Sequence, residues 1–331
     1  MEKLCDLYFE LSNEERLKIL YLLKEPSNTL TGLSEALGIR NQQCTRHLAR
    51  LTEQGLIQKT IERGYTLTEY GSAILRFQPT LSFLTEHSEY FQGHTTTGIP
   101  LASLNSIGLL KDASMIQDLN LALFTIERII DESEVALYEV TNQFHINTIK
   151  HRNEALKRGV NLRSIESHNT VMPGEIRAWF RSNPDYVSTA YDARNNGLVH
   201  EKVTPKLSYL LHMSEKEAFI AFPDTKGGFD HVGYSSKDSD FLQWCRELFD
   251  STWIKSSLKG EKIKEFYAMA LDDDVFAKSI LEFSGENPKL IDMSIAVGSD
   301  LSIMGEVVKL YLSRGVPLSS IKPEAYWKQM R

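Results

Sequence analysis

Cysteine is scarce. Cys5, Cys44 and Cys245 are the three in 331 residues, and they lie far apart with no metal-ligand or redox spacing. A disulfide-stapled scaffold and a zinc ribbon are therefore not expected, and a reducing compartment is. No run approaches the roughly 18 apolar residues that a membrane span needs. The opening residues, Met1 to Asp6, lack the basic-then-apolar layout of a secretory signal, so a cytoplasmic protein with no membrane partner is expected. Ten prolines and nineteen glycines are too few for a collagenous or low-complexity chain. No internal repeat, phosphate-cradling glycine loop or dinucleotide fingerprint is present, and no cofactor is implied. The net charge is −7, which excludes a chain coated throughout with basic nucleic-acid contacts.

What is present is a globular composition, 42% hydrophobic, long enough for two or three domains. Its charge is uneven. Residues 1–77 hold ten basic and ten acidic side chains, so the remainder carries the whole negative balance, 27 against 34. From Arg40 to Arg63 the sign reverses: Arg40, Arg46, Arg50, Lys59 and Arg63 face only Glu53 and Glu62. A local +3 in an acidic protein marks a place for a polyanion.

The pattern over 1–77 predicts three helices, two strands and a helix. Ser12-Asn13-Glu14-Glu15 reads as a capping box, followed by Leu17, Leu20 and Leu23 at helical spacing, with Pro26-Ser27-Asn28 ending that helix. A short helix from about Thr31 stops at Gly38, and another runs from about Arg40 to Gln54. Leu56–Thr60 and Tyr65–Leu67 read as strands around a turn at Arg63-Gly64, and Thr68 caps a further helix. This order is that of a winged helix-turn-helix. Residues 68–94 continue as a helical stretch interrupted by Pro79. There Ile74, Phe77, Leu81, Leu84 and Phe91 step like a coiled-coil seam, for a dimer contact or for docking on the next domain. His94–Pro100 reads as a linker.

Beyond it, helix and strand periods alternate. Helices are expected at Ser114–Glu134, Ile146–Arg158, Pro173–Phe180 and Asp238–Trp253. Strands are expected at Val135–Val140, Val160–Ile165, Gly197–Val203, Leu207–Met213 and Glu217–Phe222. That is an α/β layer structure. The final stretch looks helical at Glu261–Leu271, Val275–Phe283, Leu301–Leu312 and Pro323–Met330. The fold class expected is α+β and multidomain: a winged helix over 1–77, a helical linker or dimerisation segment over 78–100, an α/β sensor over 101–257 and a helical extension over 258–331.

On a helical wheel, Cys44, Leu48 and Leu51 cluster on one face, and Gln42, Gln43, Arg46 and Arg50 on the opposite one. An α-helix fits the major groove, where Gln suits adenine edges and Arg suits guanine or phosphate. Thr45 and, on the wing, Arg63 would position the duplex. Asn41-Gln42-Gln43-Cys44-Thr45-Arg46-His47-Leu48, with Leu51 and Gly55-Leu56-Ile57, resembles the recognition helix of arsenic-repressor-type winged helices. Those carry Ser/Thr-Arg-His-Leu, then Leu, then Gly-Leu-Ile/Val. The wider frame is similar to the archaeal winged-helix regulators of methanogenesis and filamentation. Leu67–Gly71, Leu81–Phe91, Ile99-Pro100, Ile107-Gly108, the strand near Tyr138, Ala221–Asp224 and Trp244–Phe249 carry that likeness over about residues 10–255. The resemblance implies a phospholipase-D-like central domain without enzymatic activity, of a layout that sugar-responsive archaeal regulators use to bind effectors.

Catalysis is not expected. The phospholipase-D signature needs His-x-Lys with Asp five positions after the Lys, usually twice; His200-Glu201-Lys202 begins it, but position 207 is Leu and no second copy follows. Cys44 and His47 lie one turn apart, yet Cys44 faces the core, so no metal is expected. Pockets in open α/β sheets lie beyond strand C-termini, which nominates Thr141, Asn142, His145 and His212 for an effector. The expectation is a DNA-binding transcriptional regulator, dimeric on half-sites about 34 Å apart, with double-stranded DNA and a small-molecule effector as partners. The alternatives are a winged helix that serves a protein partner, and a phosphodiesterase acting through His200 and Lys202.

Overall fold

The computed structural model describes residues 1–25, 28–61, 64–167 and 173–258. The helices expected beyond 258 lie outside the described residues. The chain forms two compact units, Met1–Glu86 with Asn105–Gly108, and His87–Leu104 with the chain from Leu109 onward.

The first unit begins with a helix that the sequence reading did not contain, α1 (Glu2–Leu11), followed by α2 (Glu14–Leu22). The cap of α2 is Asn13, whose side chain accepts from the Arg16 N–H, while the Ser12 hydroxyl turns back to Phe9 O. A two-residue strand β1 (Asn28–Thr29) precedes α3 (Leu30–Leu37) and α4 (Asn41–Glu53). β2 (Ile57–Lys59) and β3 (Gly64–Leu67) form the wing, and β1 pairs with β3, so the sheet has three strands in the order β1-β3-β2. β1 is too short to leave a periodic signature; pairing with β3 creates it. α3 ends at Gly38, whose φ of +66° closes the turn between the two helices, a conformation that costs a residue with a Cβ about 1–2 kcal/mol. Ile19, Leu20, Leu33, Cys44, Leu48, Leu51 and Leu56 fill the core. α5 (Glu69–Arg76) enters beside β2 so closely that a Cβ on Gly71 would sit 2.0 Å from Leu56 O. α6 (Gln78–Glu86) follows, then α7 (Ser88–Gly93), which belongs to the second unit. The stretch expected to be helical with an interruption at Pro79 is thus three short helices, broken near Phe77 and again near His87. Pro79 sits in the first turn of α6, where its missing N–H costs nothing, and Phe77 and Leu81 are exposed.

In the second unit the expected linker is anchored. Thr95 N donates to Pro223 O, and His94 bridges to Asp224. α8 (Leu101–Asn105) leads to β4 (Ser114–Ile116) and α9 (Leu119–Asp131), so the helix expected over 114–134 starts as a strand. Next come β5 (Ala136–Val140), α10 (Ile146–Lys157), β6 (Asn161–Ser167), α11 (Gly174–Ser182) and α12 (Pro184–Asn195). β7 (Val199–Thr204), β8 (Leu210–Met213), β9 (Ala218–Ala221), β10 (Gly233–Ser236), α13 (Ser239–Lys255) and β11 (Ser257–Leu258) complete the unit. The sheet order is β11-β7-β6-β5-β8-β9-β10-β4. β5, β6 and β7 are parallel, joined through α10 and through α11 and α12; the other pairs are antiparallel. Strand alternation divides the faces. Leu137, Leu162, Leu210 and Phe219 pack with Ile126, Ile129 and Ile130 of α9 and with Leu156 of α10. Tyr138 faces Phe249 of α13, where Trp244, Leu248 and Phe249 are buried and the Trp244 indole N–H donates to Ser103 O.

Candidate functional site

α4 carries the face that the wheel anticipates. Cys44, Leu48 and Leu51 are buried against the first unit's core, each adding about 1.5–3 kcal/mol where the side chain is a leucine. Burial pushes the Cys44 thiol above its usual pKa, which leaves it an inert core group. Gln42, Gln43, Thr45, Arg46 and Arg50 are exposed. Thr45 bonds its own helix, its hydroxyl donating to Asn41 O at 2.8 Å. His47 is half-buried with a depressed pKa, first through burial, so at neutral pH it is uncharged and contributes no cation to this face. Arg63 lies outside the described residues.

The two arginines of this face differ. Arg46 has no ion-pair or hydrogen-bond partner among the described residues. Arg50 is held by Glu10 of α1: its Nε donates to Oε2 at 3.0 Å and Oε1 at 3.2 Å, Nη2 donates to Oε1 as well, and the guanidinium lies 5.0 Å from the Phe9 ring centroid. Glu10 is buried, its side chain 5% exposed, and also meets Arg16 of α2 at 2.9 Å. Arg16 is buried too, and donates to the carbonyls of Glu10 and Phe9, both at 2.8 Å. One carboxylate from α1 thus ties α2 to the outward helix α4, a positioning device that the sequence reading missed because α1 itself was missed. A signal exists at the helical spacing of Glu10, since it lies three residues after Leu7 on the same buried side.

In the second unit β5 carries Glu139 inward, on the face it shares with Leu137. It is fully buried, with Arg152 Nε of α10 at 3.4 Å and His212 Nδ1 of β8 at 3.6 Å. Burial raises its pKa, but Arg152 and His212 outweigh that, and it stays below the ordinary carboxylate range. His145 precedes α10 at its N-terminus without a side-chain capping bond, and its ring lies 5.7 Å from that of His231, which adopts a φ of +64°. Burial depresses both imidazoles, and His212 depresses them further. The structure therefore groups His145 and His212, with Glu139, Arg152 and His231 added. Thr141 is buried and its hydroxyl accepts from Gln143 N, while Asn142 is exposed. A charged residue at an inward strand position was the available sign of Glu139.

The incomplete His-x-Lys pair lies on β7. His200 is exposed on β7, while Lys202 Nζ donates to Trp253 O at 2.7 Å and lies 4.8 Å from that indole's centroid. Among the described residues no group of three or more His, Cys, Asp and Glu is placed to hold a metal ion, and no helix is long and apolar enough to cross a membrane.

Among solved structures, an archaeal chromatin protein, TrmBL2, whose structure shows a novel mode of DNA binding, is similar at a TM-score of 0.34 and 13% identity. The match covers 74% of this chain and 93% of that one. A phospholipase D family member, Nuc from Salmonella typhimurium, is similar at a TM-score of 0.30 and 9% identity over 41% of this chain and 89% of that one. The apo form of the S-adenosylmethionine-dependent methyltransferase SibL follows at 0.22 and 12%, over 73% and 89%. The search of curated proteins returned no match. Residues 6–77, which hold the helix-turn-helix, the wing and the Glu10–Arg50 pair, match the family model of the N-terminal domain of methanogenesis regulatory protein FilR1.

Proposed function

We propose that this chain is a DNA-binding transcriptional regulator, and that α4 reads the major groove. The observation that carries the reading is the exposed Arg46, without a partner among the described residues, beside Gln42 and Gln43 on a helix whose opposite face is locked into the core. In this reading Gln42, Gln43 and Arg46 meet bases or phosphates, Thr45 and the wing residue Arg63 position the duplex, and Arg50 contributes through Glu10. The protein acts as a dimer on two half-sites, and the second unit senses a small molecule without catalysis, Lys202 being committed to Trp253. Thr141 and Asn142, just after β5, belong to the sensing loop, and His145 beside His231 and His212 beside Glu139 support it. The test is a salt series of binding to duplex DNA from upstream of the protein's own gene and to random duplex. Tight, steeply salt-dependent binding to the native segment that Arg46→Ala removes supports the reading. Equal binding of both duplexes by wild type and variant refutes it.

A further inference from the structure

The second unit holds a cavity of about 120 Å³ that none of the groups above uses. Val140 and Thr204, the last residues of β5 and β7, form part of its wall, so it lies where parallel strands end, the usual place for a ligand in an α/β sheet. The rest comes from the loop between β7 and β8, the end of α13 and the segment that carries Gly98 and Pro100. Lys206 and Lys255 stand at it, exposed and without an ion-pair partner among the described residues, and no carboxylate lines it. The hydroxyls of Thr204, Ser208 and Ser251 make no hydrogen bond among the described residues. Two cations and three unused donors around one small cavity call for an acceptor-rich anion. The C-terminal end of α13 brings partial negative charge of roughly half a unit, against two full positive charges, one of them in its own last turn.

Gly98 lets the connecting segment run close against Ser208 at the cavity wall. Its φ is +91°, and a Cβ there would lie 2.1 Å from Ser208 Oγ. A space of this size has room for one phosphate-sized group, with the remainder of a larger ligand outside.

We propose that this cavity binds phosphate or the phosphoryl group of a small phosphate monoester, and that, through its wall residue Val140, it serves the adjoining Thr141–Asn142 loop as the effector site of the regulator inferred above, on which reading the effector role rests. Gly98 and Pro100 belong to residues 87–104, which join residues 1–86 of the first unit to its residues 105–108. Occupancy of the cavity therefore acts on the stretch of chain from which the DNA-reading unit is hung.

The experiment titrates full-length protein with inorganic phosphate and with glycerol phosphate by calorimetry, in chloride buffer of matched ionic strength. Saturable binding is expected, weakened about tenfold or more by Lys206→Gln and again by Lys255→Gln, the scale of a charge-assisted hydrogen bond. Both variants change exposed side chains, and unchanged circular dichroism confirms their fold. Glycerol phosphate binding more tightly than phosphate assigns the monoester; the reverse assigns the free ion. Absence of saturable binding by wild type, or equal affinity in the double variant, overturns the site. The same ligand is then added to the DNA-binding assay, where it should shift the affinity of wild type and leave the double variant unmoved; no shift in wild type overturns the effector role. Arg46→Ala separates the two proposals, because it should keep full phosphate binding. Phosphate binding without any DNA binding by wild type would discard the regulator reading and retain the anion site.

Discussion

Arg46 and Arg50 share one face of α4, yet the structure predicts opposite behaviour for them. Arg46 has no partner among the described residues, so its charge is available to a phosphate. Arg50 spends its charge on the buried Glu10 through bonds of 3.0 and 3.2 Å from Nε. Each phosphate neutralised adds about −0.9 to the slope of log K against log salt. Arg46→Ala should therefore flatten the slope by about 0.9, so that affinity falls about 3.5-fold less than in wild type between 50 and 200 mM salt. Arg50→Ala should leave the slope unchanged. Its effect belongs to stability, and Glu10→Gln shows this most directly. That substitution strips a carboxylate with 5% side-chain exposure from two guanidiniums, one of them buried, and should destabilise the first unit by about 3 kcal/mol. Fluorescence-anisotropy titrations at four salt concentrations read the slopes, and urea unfolding followed by circular dichroism reads the stability. A slope change in Arg50→Ala with none in Arg46→Ala would refute the division of labour. So would Glu10→Gln unfolding at the wild-type midpoint.

Three further outcomes follow from the packing. Gly71→Ala places a Cβ 2.0 Å from Leu56 O and 2.9 Å from Leu56 C, backbone that also receives Thr68, so the first unit should lose about 2 kcal/mol or more, seen as a lower urea midpoint. Glu139→Gln leaves Arg152 without its buried counter-charge and should cost the second unit about 3–5 kcal/mol, measured by thermal unfolding; an unchanged melting temperature would show that the pair is not kept in solution. His145 and His231 have depressed pKa values in the fold, so the unfolded chain binds more protons near and below pH 6.5. Their contribution is whole above that pH and is lost as the pH falls toward the folded values. Melting temperatures taken from pH 7.5 to 5 should decline for wild type and decline less for His145→Gln, whereas parallel curves would rule the imidazoles out.

Local chemistry made the first unit legible. Apolar spacing, Gly38 at the helix-turn-helix joint and the Arg63-Gly64 turn are short-range signals, and they located α3, α4 and both wing strands to within a few residues. The inward and outward faces of α4 followed from the 3.6-residue period alone. The same logic located β5, α10 and α13, because each is long enough to show its period. It failed on β1, β4 and β10, whose strand character comes from their partners. It also failed on α1, where Tyr8 and Phe9 point outward and blur the stripe. Charge pairing was out of reach for a different reason. Glu10 meets Arg50 forty residues later, Glu139 meets His212 from a neighbouring strand, and the anion cavity collects residues from Gly98 to Lys255. Local patterning specifies which face a side chain takes; it carries no information on which distant group will meet it there. The sequence alone thus determined the helix-turn-helix and its solvent face. Only the tertiary structure decided that Arg46 stays free while Arg50 is held, since that choice rests on a buried carboxylate brought in by another helix.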